Sequence, residues 1–107
     1  MPAVRLSPKT QHAILRAIDK AIHRRPLAAA VIVFGANATL LDEVKRIAPV
    51  DVMTYDDLYS PEQRQRGLPI IQSLIHNERT APVVIVGDAR FDQHPALVSQ
   101  MVHVTLQ

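Results

Sequence analysis

The sequence predicts an α/β fold of three layers, in which a mostly parallel sheet of four strands lies between helices on both of its faces. Apolar segments of strand length alternate with helical patterns along the chain. Two of these segments, residues 28–34 and 83–86, are continuously apolar, which is typical of parallel strands buried on both faces. The length of 107 residues predicts a single domain over residues 1–107.

The first predicted helix begins after Ser7 and ends before Pro26. Ser7 is a suitable N-cap, and Pro8 at the first helical position sacrifices no hydrogen bond. Isoleucine recurs at every fourth position and forms an apolar stripe, made of Ile14, Ile18 and Ile22. We therefore expect this helix to pack against one face of the sheet.

A buried strand is predicted over residues 27–35, followed by a second helix over residues 36–49. This helix is capped by Asn37 or Thr39 and is ended by a proline. Residues 50–58 then place apolar and polar side chains in alternation, which predicts a less buried strand nearer to an edge of the sheet.

The next helical pattern, over residues 60–78, contains an interruption. Ser60 and Gln63 have the spacing of a capping box at its start. Gly67 and Pro69 disfavour a regular helix, so we expect a bend or two short helices.

Three elements complete the chain. Residues 81–88 contain the second buried strand, and residues 92–101 predict a short helix capped by Asp92 or His94. The alternating residues 101–107 predict a last strand at an edge of the sheet, either parallel or antiparallel to its neighbour.

The alternation of strands and helices predicts right-handed crossovers between parallel strands. Because the two most apolar strands belong in the centre, we predict the strand order 2-1-3-4. This order resembles half of a flavodoxin-like or Rossmann sheet.

In sheets of this kind ligands bind beyond the carboxyl ends of the strands, near the point where the connections switch faces. Glycines and polar residues follow the two buried strands, which makes this edge a candidate anion site, and its predicted members are Gly35, Asn37, Gly87, Asp88 and Arg90. In the alternative interpretation the first glycine ends its strand and the asparagine caps the next helix. The sequence lacks G-x-G-x-x-G and Walker spacings.

Four aspartates also belong to this edge and are candidate ligands for a divalent cation: Asp56, Asp57, Asp88 and Asp92. Such a site would suit metal-dependent phosphoryl transfer or nuclease chemistry. The same residues are common in turns and at helix N-caps, and we favour that interpretation. We therefore expect neither a metal nor a cofactor.

No catalytic pattern is recognisable, since the chain has no cysteine, no H-E-x-x-H and no G-x-S-x-G. The only candidates for acid–base work are Asp88 and His94, the histidine acting as a base beside a carboxylate. A nucleic-acid interface is a further alternative, and its candidate residues are Arg24, Arg25, Lys45 and Arg46. These cations also fit an ordinary solvated helix surface.

We therefore expect a small non-enzymatic accessory or regulatory protein that acts by binding another protein, as a subunit or an inhibitor. Nucleic-acid binding and metal-dependent phosphoryl transfer remain the alternatives. The last strand or the first helix is the expected interface of a homodimer, because an edge strand offers unpaired backbone groups. The sequence shows neither a secretion signal nor a membrane-spanning run, so we expect a cytoplasmic location without membrane contact.

Overall fold

The computed structural model describes residues 6–35 and 38–106 and contains four strands and five α-helices in these ranges. The strands are β1 (Ala30–Phe34), β2 (Asp51–Met53), β3 (Val83–Val86) and β4 (Val102–Thr105). The α-helices are α1 (Pro8–Arg24), α2 (Ala38–Ile47), α3 (Tyr55–Tyr59), α4 (Arg64–His76) and α5 (Pro95–Val98). Short 3₁₀ helices span Pro61–Gln63 and Ala89–Gln93.

All four strands are parallel, and their order across the sheet is β2-β3-β1-β4. The prediction of an α/β fold with a central apolar pair, β1 and β3, and with β2 and β4 at the edges is confirmed. The predicted order 2-1-3-4 is wrong in one respect, because the two central strands exchange places. Strand β3 therefore pairs with β2, and β1 pairs with β4, also in parallel.

The observed order is consistent with crossovers of one hand. The connection from β1 through α2 runs towards β2 on one face of the sheet. The connections from β2 to β3 and from β3 to β4 run in the opposite direction along the sheet, and their helices pack on the other face. Reversing both the direction and the face keeps the hand of a parallel crossover unchanged.

Side chains of the central strands alternate between two cores. Val31, Val33 and Val84 pack with α1 and α2, whereas Ile32 and Ile85 pack with α3, α4 and α5. All five are at most 1% exposed, and full burial of each such side chain contributes about 2 kcal/mol. The sheet therefore needs helices on both faces.

Helix α1 has the predicted cap, since the Ser7 hydroxyl accepts a hydrogen bond from the Thr10 amide at 3.2 Å. Ile14 and Ile18 are buried as predicted, but Ile22 is 37% exposed. Each step of four residues turns about 40° beyond a full helical turn, so the stripe drifts off the buried face by Ile22.

The strand predicted over residues 50–58 is wrong beyond Met53, because residues 55–59 form α3. A capping box starts this helix: the Thr54 hydroxyl accepts from the Asp57 amide at 3.3 Å, and the Asp57 carboxylate accepts from the Thr54 amide at 2.8 Å. Two backbone amides at the helix start are thereby satisfied, which favours a helical turn over further strand.

The capping box predicted for Ser60 and Gln63 is not formed, since the Ser60 side chain makes no capping hydrogen bond. Helix α4 continues through Gly67 and Pro69, so the predicted division into two short helices is wrong. Gly67 is instead a contact site: a Cβ atom at this position would lie 2.1 Å from the Leu58 carbonyl oxygen. The absence of a side chain lets α4 pack directly on the backbone of α3.

The helix predicted over residues 92–101 is shorter, spanning Pro95–Val98, and neither predicted side-chain cap is used. His94 is the N-cap residue, but its side chain forms no capping hydrogen bond, and Asp92 lies inside the preceding 3₁₀ helix. Asp88 caps that 3₁₀ helix by accepting from the Arg90 amide at 2.9 Å.

Replacement of Gly67 by alanine is expected to destabilise the protein by about 1–3 kcal/mol, because the added methyl group overlaps rigid backbone. A Gly→Ala change inside a helix normally has the opposite sign, since it stabilises by about 0.5–1 kcal/mol. Urea denaturation provides the measurement, with Gln72→Ala on the exposed face of α4 as the control that changes stability little. A Gly67→Ala variant as stable as the wild type would contradict the close packing of α3 on α4.

Candidate functional site

The point where the connections switch faces lies between β1 and β3, at the carboxyl ends of these strands. The gap beside Gly87 is occupied by the Phe34 ring, since a Cβ atom on Gly87 would lie 2.4 Å from it. Gly35 has a φ of +84° and lies against the Leu106 carbonyl, where a Cβ atom would be 2.7 Å from the oxygen. Both glycines therefore allow close packing within the protein, and Asn37 lies outside the described residues.

Arg90 connects the ends of two neighbouring strands. Its guanidinium group donates to Asp56 Oδ1 at 3.0 Å and to Asp88 Oδ2 at 2.9 Å. Asp56 belongs to α3, which follows β2, and Asp88 follows β3 directly. The topology therefore brings together three of the predicted site residues.

The electrostatics of this cluster follow from its hydrogen bonds. The Arg90 side-chain and backbone hydrogen bonds hold the pKa of Asp88 below its ordinary value of 3.8. Conversely, the pKa of Arg90 is raised by its hydrogen bonds, most by the one with Asp88 and next by the one with Asp56. Asp88 and Arg90 are therefore both charged near neutral pH, and the arginine neutralises part of the negative charge.

An aromatic cluster packs beside these charges. The Tyr55 hydroxyl lies 2.9 Å from His94 Nε2, within hydrogen-bond distance, and the Arg90 guanidinium lies 4.3 Å from the centre of the Tyr55 ring. Tyr59 stacks on the His94 ring with a centroid distance of 4.1 Å, and Phe91 packs edge-on against Tyr55. Burial and the neighbouring Tyr55 raise the pKa of Tyr59.

The polar groups at this edge are thus largely engaged with one another. The other two predicted metal ligands have different surroundings. The Asp57 carboxylate caps α3, and the Asp92 side chain is exposed to solvent. In the part of the chain that the structure describes, no group of three or more histidines and acidic residues could hold a metal ion. The cluster holds α3, the loop after β3 and the start of α5 together.

Two of the four predicted nucleic-acid contacts have partners within the protein. The largely buried Arg25 donates a hydrogen bond to Gln100 Oε1 at 2.7 Å. Its burial, and next the positive charge of Arg24, lower the pKa of Arg25. Arg46 forms an ion pair with Glu43 on the same helix, which raises the pKa of Arg46. Arg24 and Lys45 remain exposed. Two of the four cations are therefore engaged within the protein and two are not, and their role in nucleic-acid binding stays a prediction.

An open groove lies at the β4 edge of the sheet. Cavities of about 590 and 460 Å³ lie end to end between α1 and β4, and Ala13 and Val104 line both of them. We call this feature the α1–β4 groove. Its cationic α1 residues are Lys9, Arg16 and Lys20, and its β4 residues are Val102, His103, Val104 and Thr105.

Two of these features are absent from the predictions made from the sequence. The i, i+4 spacing of Tyr55 and Tyr59 is a signal for one helix face, but it is hidden when residues 50–58 are interpreted as a strand. The cations of the α1–β4 groove share one side of α1, because positions 9, 16 and 20 are separated by nearly whole helical turns. This spacing was a usable signal, although it does not identify the neighbouring strand.

Carboxyl-carbon NMR titration is expected to show that Asp88 titrates below pH 3.8 and that Arg90→Gln raises its midpoint. A lowered pKa in the folded state contributes stability that is present above the unfolded-state pKa and is lost as the pH falls through the folded-state pKa. The stability difference between wild type and Asp88→Asn should therefore shrink below about pH 4. Arg64→Gln, on α4, is the control, and an equal effect of both arginine variants would refute the proposed cause.

In residues 6–35 and 38–106, no helix combines the length and apolar character that a membrane span requires. Comparison with protein-family models, with curated proteins and with solved structures gives no significant match. The function is therefore inferred from the geometry of the molecule alone.

Proposed function

We propose that this protein is a non-enzymatic accessory module that binds another protein by adding an extended segment of the partner to the edge of β4. One observation carries this proposal: among the strands of residues 6–35 and 38–106, β4 is an outer one, and its outward-facing backbone is flanked by the α1–β4 groove. Edge strands pair readily with extended chains, and neighbouring pockets then select their side chains.

The backbone of β4 determines which groups are offered. The Leu106 amide donates to the Phe34 carbonyl of β1 at 2.9 Å. Because the hydrogen-bonding direction alternates along a strand, Val102 and Val104 also bond towards β1, whereas His103 and Thr105 direct their amides and carbonyls outward. Two residues therefore offer four backbone hydrogen-bonding groups to an added strand.

The opposite edge is a poorer template. Strand β2 has three residues, and Asp51, the first of them, is an exposed acid. Short edge strands and charged side chains resist the addition of another strand. The difference between the two edges supports binding at β4.

A catalytic role has less support from the same geometry. The two candidates for acid–base work, Asp88 and His94, are engaged with Arg90 and with Tyr55. A small module of this kind fits the expected cytoplasmic location, because a chain without cysteine does not depend on an oxidising compartment.

A library of displayed twelve-residue peptides provides the test. Peptides selected on the wild-type protein are expected to slow hydrogen exchange at the His103 and Thr105 amides. Thr105→Pro removes one outward donor and leaves the ladder to β1 intact, so it should weaken these peptides by at least about tenfold.

Thr105→Val is the matched control, since it keeps the amide and should bind as the wild type does. The exchange measurement uses the unmodified protein and therefore does not depend on the folding of the proline variant. Selected peptides that protect other segments and leave these two amides unprotected would overturn the proposal.

A further inference from the structure

We infer that the segment bound at the β4 edge carries carboxylate side chains on the side that faces α1, an inference that rests on the proposed function. The ionisable α1 residues that line the groove are all cations: Lys9, Arg16 and Lys20. No acidic side chain lines either cavity of the groove, as far as the described residues extend. Its charge is therefore complementary to an acidic strand.

These three cations are available to a partner. Each is exposed, and none forms an ion pair with another residue of the described ranges. By contrast, Arg46 and Arg90 on the same molecule are paired with acids. A row of unpaired cations beside an open strand edge favours an anionic occupant.

The spacing of the cations along α1 matches the spacing of side chains on one face of an added strand. Arg16 and Lys20 are four residues apart, which separates them by about 6 Å along the helix axis. Side chains on one face of a strand recur every second residue, at intervals of about 6.6 Å. Two acidic residues at positions i and i+2 of the bound segment can therefore face these two cations.

The alanines between the cations provide the space that this arrangement requires. Ala13 and Ala17 line the groove on the side of α1 nearest to Val102 and Val104. Their short side chains leave room for the inward side chains of an added strand. Strand addition and charge recognition thus take place along the same groove.

A second copy of the chain is a less favourable occupant. Antiparallel pairing of two β4 strands about a two-fold axis places both α1 helices on the same face of the joined sheet. The row containing Arg16 and Lys20 then faces its own copy, and like charges oppose each other. A separate acidic segment meets no such repulsion.

Three soluble peptides test this inference by ¹⁵N–¹H NMR titration of the full chain. They alternate threonine with glutamate, with glutamine or with lysine over twelve residues. The glutamate peptide is expected to shift the His103 and Thr105 amides and to bind about tenfold more tightly than the glutamine peptide. Its affinity should also fall as the salt concentration is raised.

The double variant Arg16→Glu/Lys20→Glu should weaken the glutamate peptide by about tenfold and favour the lysine peptide. Arg64→Glu/Arg66→Glu, on α4, is the control, because it changes the net charge equally away from the groove. Equal weakening by both double variants would mean that only net charge acts, and would overturn the inference.

The remaining outcomes separate this inference from the proposed function. If the glutamate and glutamine peptides bind equally tightly and neither binds the Thr105→Pro variant, strand addition is supported and the inferred acidic preference is wrong. If no peptide shifts the β4 amides, the proposed function itself fails. Tighter binding of a twelve-residue oligothymidylate, or a dimer that Thr105→Pro dissociates, would instead assign the groove to nucleic acid or to a second copy.

Discussion

The pairing of β1 with β3 is the contact on which the rest of the fold depends. Val31 is in register with Val84, and Ile32 with Ile85, so each pair adds to a different core. A strand pair that is apolar on both faces has to be covered on both, which requires helices above and below the sheet. The outer strands β2 and β4 and all five α-helices are arranged around this requirement.

At the carboxyl end of the same central pair, several of the predicted site residues contact one another. Phe34 closes the gap beside Gly87, and Arg90 binds the carboxylates of Asp56 and Asp88. Topology alone predicts that these polar residues meet, because strand ends of a parallel sheet share one edge. Their engagement with one another could not be predicted, since it depends on side-chain reach and on the aromatic support of Tyr55.

Local patterns were sufficient where one physical effect dominates. The continuous apolar strands and the capped first helix were predictable because burial and capping act within a few residues. The prediction of strand over residues 50–58 was wrong because Thr54 and Asp57 form a capping box that competes with the alternation of side chains. The prediction of two short helices around Gly67 was wrong for a different reason. That glycine serves a contact with Leu58, a neighbour that helix propensity does not identify.

The error in strand order has a consequence for the binding edge. Alternation of apolar and exposed side chains places β4 at an edge in either order, so its availability was predictable without the correct neighbours. The chemistry of the β4 edge was not predictable, because only the observed order puts β4 beside β1, where α1 lies against both strands. In the order 2-1-3-4, β4 would lie beside β3 and away from α1. The cations of α1 therefore reach this edge because β3 pairs with β2, and the charge of the groove is a property of the topology.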